Sequence, residues 1–270
     1  MSTRPTSTNT DPLADLALAS AEAAARFTLI YRTMLDESSR IKDPQFRAIE
    51  VADLERLHRL YDEHFFGGLL TRLIERAASP PVRFRLSNRM TRAAGKTIQQ
   101  RIRERSGWRV VETSEYEIVI STYLLFQSFR GDPGLDASDR AVRVAGVVCT
   151  DRLTALLRIF EHELLHLAEF LVHGRSSCSA EPYRQLSRRL FGHEASVHTL
   201  VTPVERAIIV HKFGRGDRVA FRHAGVDRTG VVNRITKRAT VLVADPAGRL
   251  HSDGVRYVSY LVPLGRLWKI

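Results

Sequence analysis

The chain has 270 residues, 44% of them hydrophobic, and a formal charge of +11, enough apolar material for a sizeable core in one large domain or two modest ones. No apolar run approaches the roughly 20 residues that span a bilayer, and Met1 to Leu13 is rich in Ser and Thr without the apolar centre of a signal peptide, so no membrane partner and a cytoplasmic location are expected. Two cysteines, Cys149 and Cys178, exclude a disulfide framework and leave each as a free thiol or a metal ligand.

Residues 1–11 read as a disordered tail. Asp11-Pro12 is expected to open a peripheral N-terminal helix, within 12–40, that runs through the alanine-rich stretch toward Leu35. From Pro44 to Ala77 a second helical pattern carries Ile49, Leu54, Leu57, Leu60, Tyr61 and Phe65, with a break at Gly67-Gly68 and an end at Pro80-Pro81. Val82 to Leu86 alternates apolar and basic residues as a strand does, and Tyr116 to Ser121 is a second strand. Between them, Gln99 to Arg109 is strongly basic and is expected as a hairpin or loop near the functional site. Gly131 to Asp139 has loop chemistry with a turn at Asp132-Pro133-Gly134. Val142 to Val148 is a third strand or a buried lead-in to the next helix.

That next helix holds the most informative residues of the chain, His162-Glu163-Leu164-Leu165-His166. Residues four apart lie about 40° apart around a helix axis, so His162 and His166 can face one metal ion. Glu163 falls beside them, where its carboxylate can act on a zinc-bound water rather than ligate the zinc. Leu153, Leu157, Phe160, Leu164, Leu167 and Leu171 form the core-facing stripe of this helix, and His162, His166, Glu169 and His173 line another side. Metzincin geometry is excluded, because the positions three and six residues after His166 hold Glu169 and Val172. Helices are expected to resume at Glu181 to Phe191 and at Pro203 to Ile209.

From Gly214 onward, short β-branched runs at Asp217 to Arg222, Gly230 to Ile235, Ala239 to Ala244 and Val255 to Leu261 suggest a small all-β barrel, with a boundary near His211 to Gly216. Residues 211–270 carry 12 Lys/Arg against 4 Asp/Glu, whereas the preceding 210 residues carry 29 against 26. Concentrating the excess charge in this segment points to a polyanionic partner, nucleic acid first and an anionic membrane second. Arg234, Lys237 and Arg238 around one turn, with Arg222 and Arg228 on the preceding turn, are the candidate phosphate contacts. Phe221, Tyr257, Tyr260 and Trp268 could stack on bases where exposed, with core packing the competing role.

The order of these elements resembles the SprT-like metalloprotease domain, the Spartan-related family. The matching residues are Leu60-Tyr61-Asp62-Glu63-His64-Phe65-Phe66-Gly67, Val82-Arg83-Phe84-Arg85-Leu86 followed by Arg92-Ala93-Ala94-Gly95, Ile118-Val119-Ile120-Ser121, and the His162 motif. The likeness covers roughly residues 45 to 205. It implies an α+β, zincin-type fold for a domain over 45–210, bound zinc, and cleavage of proteins held on nucleic acid.

In that family the third zinc ligand is usually a histidine in a His-Gly-x-x-aromatic pattern a dozen or more residues after the motif. Here His173-Gly174 comes only seven residues after His166 and has Ser177 at the aromatic position. The resemblance puts the equivalent at Ser177-Cys178-Ser179, with Tyr183 as the aromatic and Leu190-Phe191-Gly192 closing the next helix. Cys178 would then supply a thiolate, with His173, His193 and Glu181 as alternatives. The segment 211–270 resembles SH3-like barrels of the KOW and Tudor type through Gly216-Asp217-Arg218-Val219 and Gly230-Val231-Val232.

A reading from another class stands beside this one: a nucleic-acid-binding or adaptor protein whose zinc is structural. Four protein ligands closing the site would mark it, because a catalytic zinc keeps one position open.

Overall fold

Residues 11–106, 109–131, 134–135 and 140–270 are described by the computed structural model of this chain. The expected tail over 1–11, Asp11 apart, and the turn residues Asp132-Pro133 lie outside them.

The first helix, α1 (Ser20–Glu37), starts later than Asp11-Pro12 suggests. Asp11 instead accepts the backbone N–H of Leu13 (2.9 Å), forming a local turn that competes with helix entry. The chain then crosses a later helix as a strap: Leu13 is buried, and Arg189 donates to the carbonyl of Ala14 (2.8 Å). Nor is α1 peripheral, since Ile30 and Met34 are fully buried in the main core. The second helical pattern divides as expected into α2 (Val51–Phe66) and α3 (Leu69–Arg76), with both Gly67 and Gly68 at positive φ. α2 starts at Val51 because Asp53 accepts the N–H of Glu50 (2.9 Å) and the hydroxyl of Ser38 (2.6 Å), which fixes the helix entry.

Three strands follow: β1 (Arg83–Ser87), β2 (Gly95–Ser106) and β3 (Arg109–Ser121), ordered β1-β3-β2 with β1 parallel and β2 antiparallel to β3. The basic segment Gln99 to Arg109, of which 107 and 108 are not among the described residues, belongs to the β2–β3 hairpin. Several of the sheet's arginines are partnered. Arg103 meets Glu112 at 3.1 Å, and on β1 Arg83 and Arg85 meet Glu115 (2.8 Å) and Glu117 (2.9 Å). Such exposed pairs contribute little stability, but they reduce this sheet's appeal as a polyanion surface.

Next come α4 (Thr122–Gln127), the small hairpin β4 (Val142–Val144) and β5 (Val147–Cys149), and the long helix α5 (Arg152–His173). Asp151 caps α5 by accepting the N–H of Thr154 at 2.7 Å. The leucine stripe packs as its spacing predicts, with Leu153, Leu157, Phe160, Leu164 and Leu167 fully buried and Leu171 packed at the edge of the core. α6 (Glu181–Phe191) and α7 (Pro203–Ile209) complete the first part.

The C-terminal part is a five-stranded antiparallel sheet of β6 (Arg218–His223), β7 (Val226–Ile235), β8 (Arg238–Leu250), β9 (Arg256–Pro263) and β10 (Trp268–Lys269). Its order is β10-β6-β7-β8-β9. A separate core contains Phe213, Val219, Phe221, Val232, Val241 and Val262. Ala207 of α7 also belongs to this second core, so the last helix before β6 packs on the C-terminal sheet. The whole is an α+β architecture, and among the described residues no helix is long and apolar enough to cross a membrane.

His58 on α2 gives this fold a testable acid sensitivity. Its Nε2 is buried without a hydrogen-bond partner and its ring packs on Phe84. Burial lowers its pKa, with Asp62 opposing only in part. The unfolded chain therefore takes a proton near pH 6.5 that the folded chain resists, and stability is lost as pH falls below about 6.5. Thermal unfolding of His58→Leu should decline less steeply than wild type between pH 7.5 and 5, by up to about 1.4 kcal/mol per pH unit below that value. Parallel declines would remove His58 as the cause.

Candidate metal centre and groove

One turn of α5 places His162 and His166 on the same side, with their Nε2 atoms 3.2 Å apart. The loop joining α5 to α6 brings up Cys178. The ligand atoms of these three side chains all lie within 4.8 Å of one another, and among the described residues no other His, Cys, Asp or Glu joins the group. The loop can turn back because Gly174 ends α5 with φ of 66°, the left-handed conformation that glycine adopts without strain. Arg101 of β2 donates to the Gly174 carbonyl at 3.0 Å and ties this helix end to the sheet.

A second layer orients the imidazoles. Ser176 Oγ lies 2.6 Å from His166 Nδ1 and donates to Glu169 Oε2 at 2.5 Å. With its hydroxyl proton committed to the carboxylate, Ser176 accepts from His166 Nδ1–H, which leaves the Nε2 lone pair free for a metal. Tyr183 donates to the carbonyl of His162 at 2.9 Å, and its ring packs 4.7 Å from His166 and 5.3 Å from His162. Burial, aided by the neighbouring His166, lowers the pKa of His162 to about 3, and burial lowers that of His166 to about 4. Both rings are therefore neutral at pH 7, the form that ligates metals. Ser176→Ala should weaken zinc affinity about 10- to 100-fold, the usual consequence of losing an outer-layer partner. Competition against a chromophoric chelator would read this, and unchanged affinity would dismiss the relay.

Glu163 is 4% exposed. Thr97 Oγ1 lies 2.8 Å from its Oε2 and 2.9 Å from its main-chain carbonyl. Burial pushes the Glu163 carboxyl up to about 7, against the lowering effect of the hydrogen bonds from Thr97. Gly95 makes room for this side chain: a Cβ there would stand 2.5 Å from Oε1 and 2.6 Å from Cγ of Glu163. Sequence reasoning did not assign Thr97 or Gly95 to the site. Their one signal is the run of small residues Ala93-Ala94-Gly95, which entered only through the family likeness.

A groove of about 450 Å³ opens beside His162 and Glu163. Ala94 and Gly95 line it at the start of β2, and Val144, Ala145 and Val197 line it from the β4–β5 hairpin and the segment before α7. His198 bridges the walls, donating from Nε2 to the Arg92 carbonyl (3.1 Å) and accepting the Leu200 N–H at Nδ1 (3.3 Å).

The other candidate ligands stand elsewhere. His173 lies 3.6 Å from Asp11. His193 is buried against Glu161 (2.8 Å), whose carboxylate also meets Arg158 (2.9 Å) and Tyr61 (2.9 Å). Glu181 pairs with Arg184 at the exposed start of α6.

The five basic candidates divide along β7 rather than forming one patch. Arg222 and Arg228 flank the β6–β7 turn, whereas Arg234, Lys237 and Arg238 surround the β7–β8 turn, with Arg228 and Arg234 about 20 Å apart at strand rise. Arg222 faces Asp227 (3.9 Å), and Arg228 stacks over Tyr260 (5.2 Å). Lys237 lies over Tyr123 of α4 (5.1 Å), so the β7–β8 turn contacts the first part of the chain. Of the aromatics, Phe221 is buried, Tyr257 and Tyr260 are partly buried, and Trp268 is exposed. No family model, curated protein or solved structure matches this chain.

Proposed function

We propose that this chain is a zinc-dependent peptidase of the SprT-like type, joined to a basic SH3-like barrel and acting on proteins bound to nucleic acid. The observation that carries the reading is the convergence of two imidazole nitrogens and one thiol sulfur, with Glu163 beside them facing a groove. The donors suit zinc: two neutral imidazoles, one held in the required tautomer by Ser176, and a sulfur, which zinc binds at about 2.3 Å. Among the described residues three ligand side chains converge, which would leave a bound zinc one open position, as catalysis rather than a structural role requires.

Held by His162, His166 and Cys178, zinc would supply Lewis acidity toward a water molecule and a peptide carbonyl. The chain's own work falls to Glu163. With its pKa near 7, it takes a proton from the attacking water and returns it to the amine that leaves as the C–N bond breaks. Thr97 holds the carboxylate at the groove while it does so. A Cys178 thiolate would donate more charge than a third imidazole, so zinc held by these residues would be a weaker Lewis acid than in a three-histidine site. A reducing compartment such as the cytoplasm keeps Cys178 available.

The barrel recruits nucleic acid through its cationic surface, and Arg234 and Arg238 are the better-placed candidates: both are exposed, near the turn that touches α4. The test compares cleavage of a DNA-bound basic protein with and without single-stranded DNA across a salt titration. Cleavage stimulated by DNA, with DNA affinity falling steeply as salt rises, supports both halves of the reading. Affinity insensitive to salt, or unchanged in Arg234→Glu/Arg238→Glu, would remove the nucleic-acid half.

A further inference from the structure

We infer that the groove beside Glu163 selects a large apolar side chain next to the scissile bond of an extended peptide. This inference deepens the peptidase reading and rests on it. The groove shares His162 and Glu163 with the proposed metal centre, so whatever fills it lies next to the reacting atoms. Its other walls are largely aliphatic: Ala94, Val144, Ala145 and Ile159 are nearly or fully buried, and Val197 stands at the rim, 68% exposed. At about 450 Å³ it falls within the range of ligand pockets and can take a large side chain with some flanking backbone.

Of the polar side chains at the groove, Ser196, His198 and Thr202 carry no formal charge at neutral His, and the charged ones are Glu163 and, at the exposed edge, Arg92. His198 uses both ring nitrogens in its bonds to Arg92 and Leu200 and has no free donor to offer. Glu163 would repel an acidic side chain, and a basic one would bind the carboxylate that has to move protons.

The walls are also fixed in advance of binding. Ala145 sits at φ of 52° in the β4–β5 turn, donates to the carbonyl of Val197 (2.9 Å), and accepts from the N–H groups of Glu194 (2.9 Å) and Ala195 (3.1 Å). A Cβ on the next residue, Gly146, would stand 2.7 Å from that of Glu194, so the hairpin and the 194–198 segment lock together closely. A preformed apolar wall of this kind discriminates by shape and desolvation, and one methylene in such a pocket changes selectivity about 10- to 200-fold.

The test uses two labelled eight-residue peptides, identical except for a central Leu or Asp. Their binding to the full chain and to Val197→Lys is measured by fluorescence anisotropy, and their cleavage by the zinc-loaded protein is followed in parallel. Val197 is exposed, so its replacement leaves the core untouched, and circular dichroism checks the fold. The Leu peptide should bind at least about tenfold tighter, with the preference lost in Val197→Lys, which removes the apolar rim and adds a cation that attracts Asp. Equal binding, tighter binding of the Asp peptide, or a Leu preference that survives Val197→Lys would overturn it. Cleavage of both peptides at equal rates would overturn the pocket and keep the peptidase. Selective binding of the Leu peptide with no cleavage of either would overturn the peptidase and, with it, the pocket's role at a scissile bond.

Discussion

Zinc-loaded Glu163→Gln is expected to lose about 10²- to 10⁴-fold in kcat, the usual contribution of a positioned general base and acid. Its zinc content should stay at wild-type level, because Glu163 is not among the three converging ligands. Glutamine keeps the volume of the side chain and can still accept from Thr97 through its amide oxygen, so the substitution removes proton transfer with little change of shape. Turnover of a DNA-bound basic protein, read beside zinc content, checks both parts. Activity within threefold of wild type would mean that Glu163 does not move the proton.

The second large effect is expected at a residue with no side chain. Gly95→Ala places a methyl group 2.5 Å from Glu163 Oε1 and 2.8 Å from Cδ, well inside van der Waals contact. Either the carboxylate swings away from Thr97 or β2 shifts outward, and in both cases the base leaves its place beside the groove. A displacement of about 1 Å at a reacting group can cost on the order of 10²-fold in rate. Gly95→Ala should therefore lose rate on that scale with zinc affinity unchanged, since the three ligands come from α5 and the following loop. A double variant with Glu163→Gln should lose little more than Glu163→Gln alone, because both changes act through one carboxylate. Additive losses would point instead to a general distortion of β2.

The two histidines and the glutamate were legible because helical periodicity is local: one turn of α5 brings His162 to His166 with no help from the rest of the fold. The leucine stripe was legible for the same reason. Cys178 needed more, since its place beside the histidines depends on Gly174 reversing the chain, and the family likeness left it one candidate beside His173, His193 and Glu181. Thr97 was out of reach because it meets Glu163 from 66 residues away, and strand pairing sets that approach. Gly95 shows its role only as space, which composition does not reveal. The start of α1 was misplaced because Asp11-Pro12 is a good helix opening locally, whereas Asp11 turns back onto Leu13 and the strap is held by Arg189 of α6. In the C-terminal sheet the strands were legible as short β-branched runs between turns, but the five cations divide between the two ends of β7, because a ten-residue strand separates turns that look adjacent in sequence.

The central claim is an open zinc site built from His162, His166 and Cys178. X-ray absorption at the zinc edge of the full chain, loaded with one equivalent of zinc, tests it most directly. Two imidazole nitrogens, one sulfur near 2.3 Å and one further light-atom ligand from solvent are expected, with the sulfur signal lost in Cys178→Ser. A zinc environment without sulfur, or one closed by four protein ligands, would contradict it.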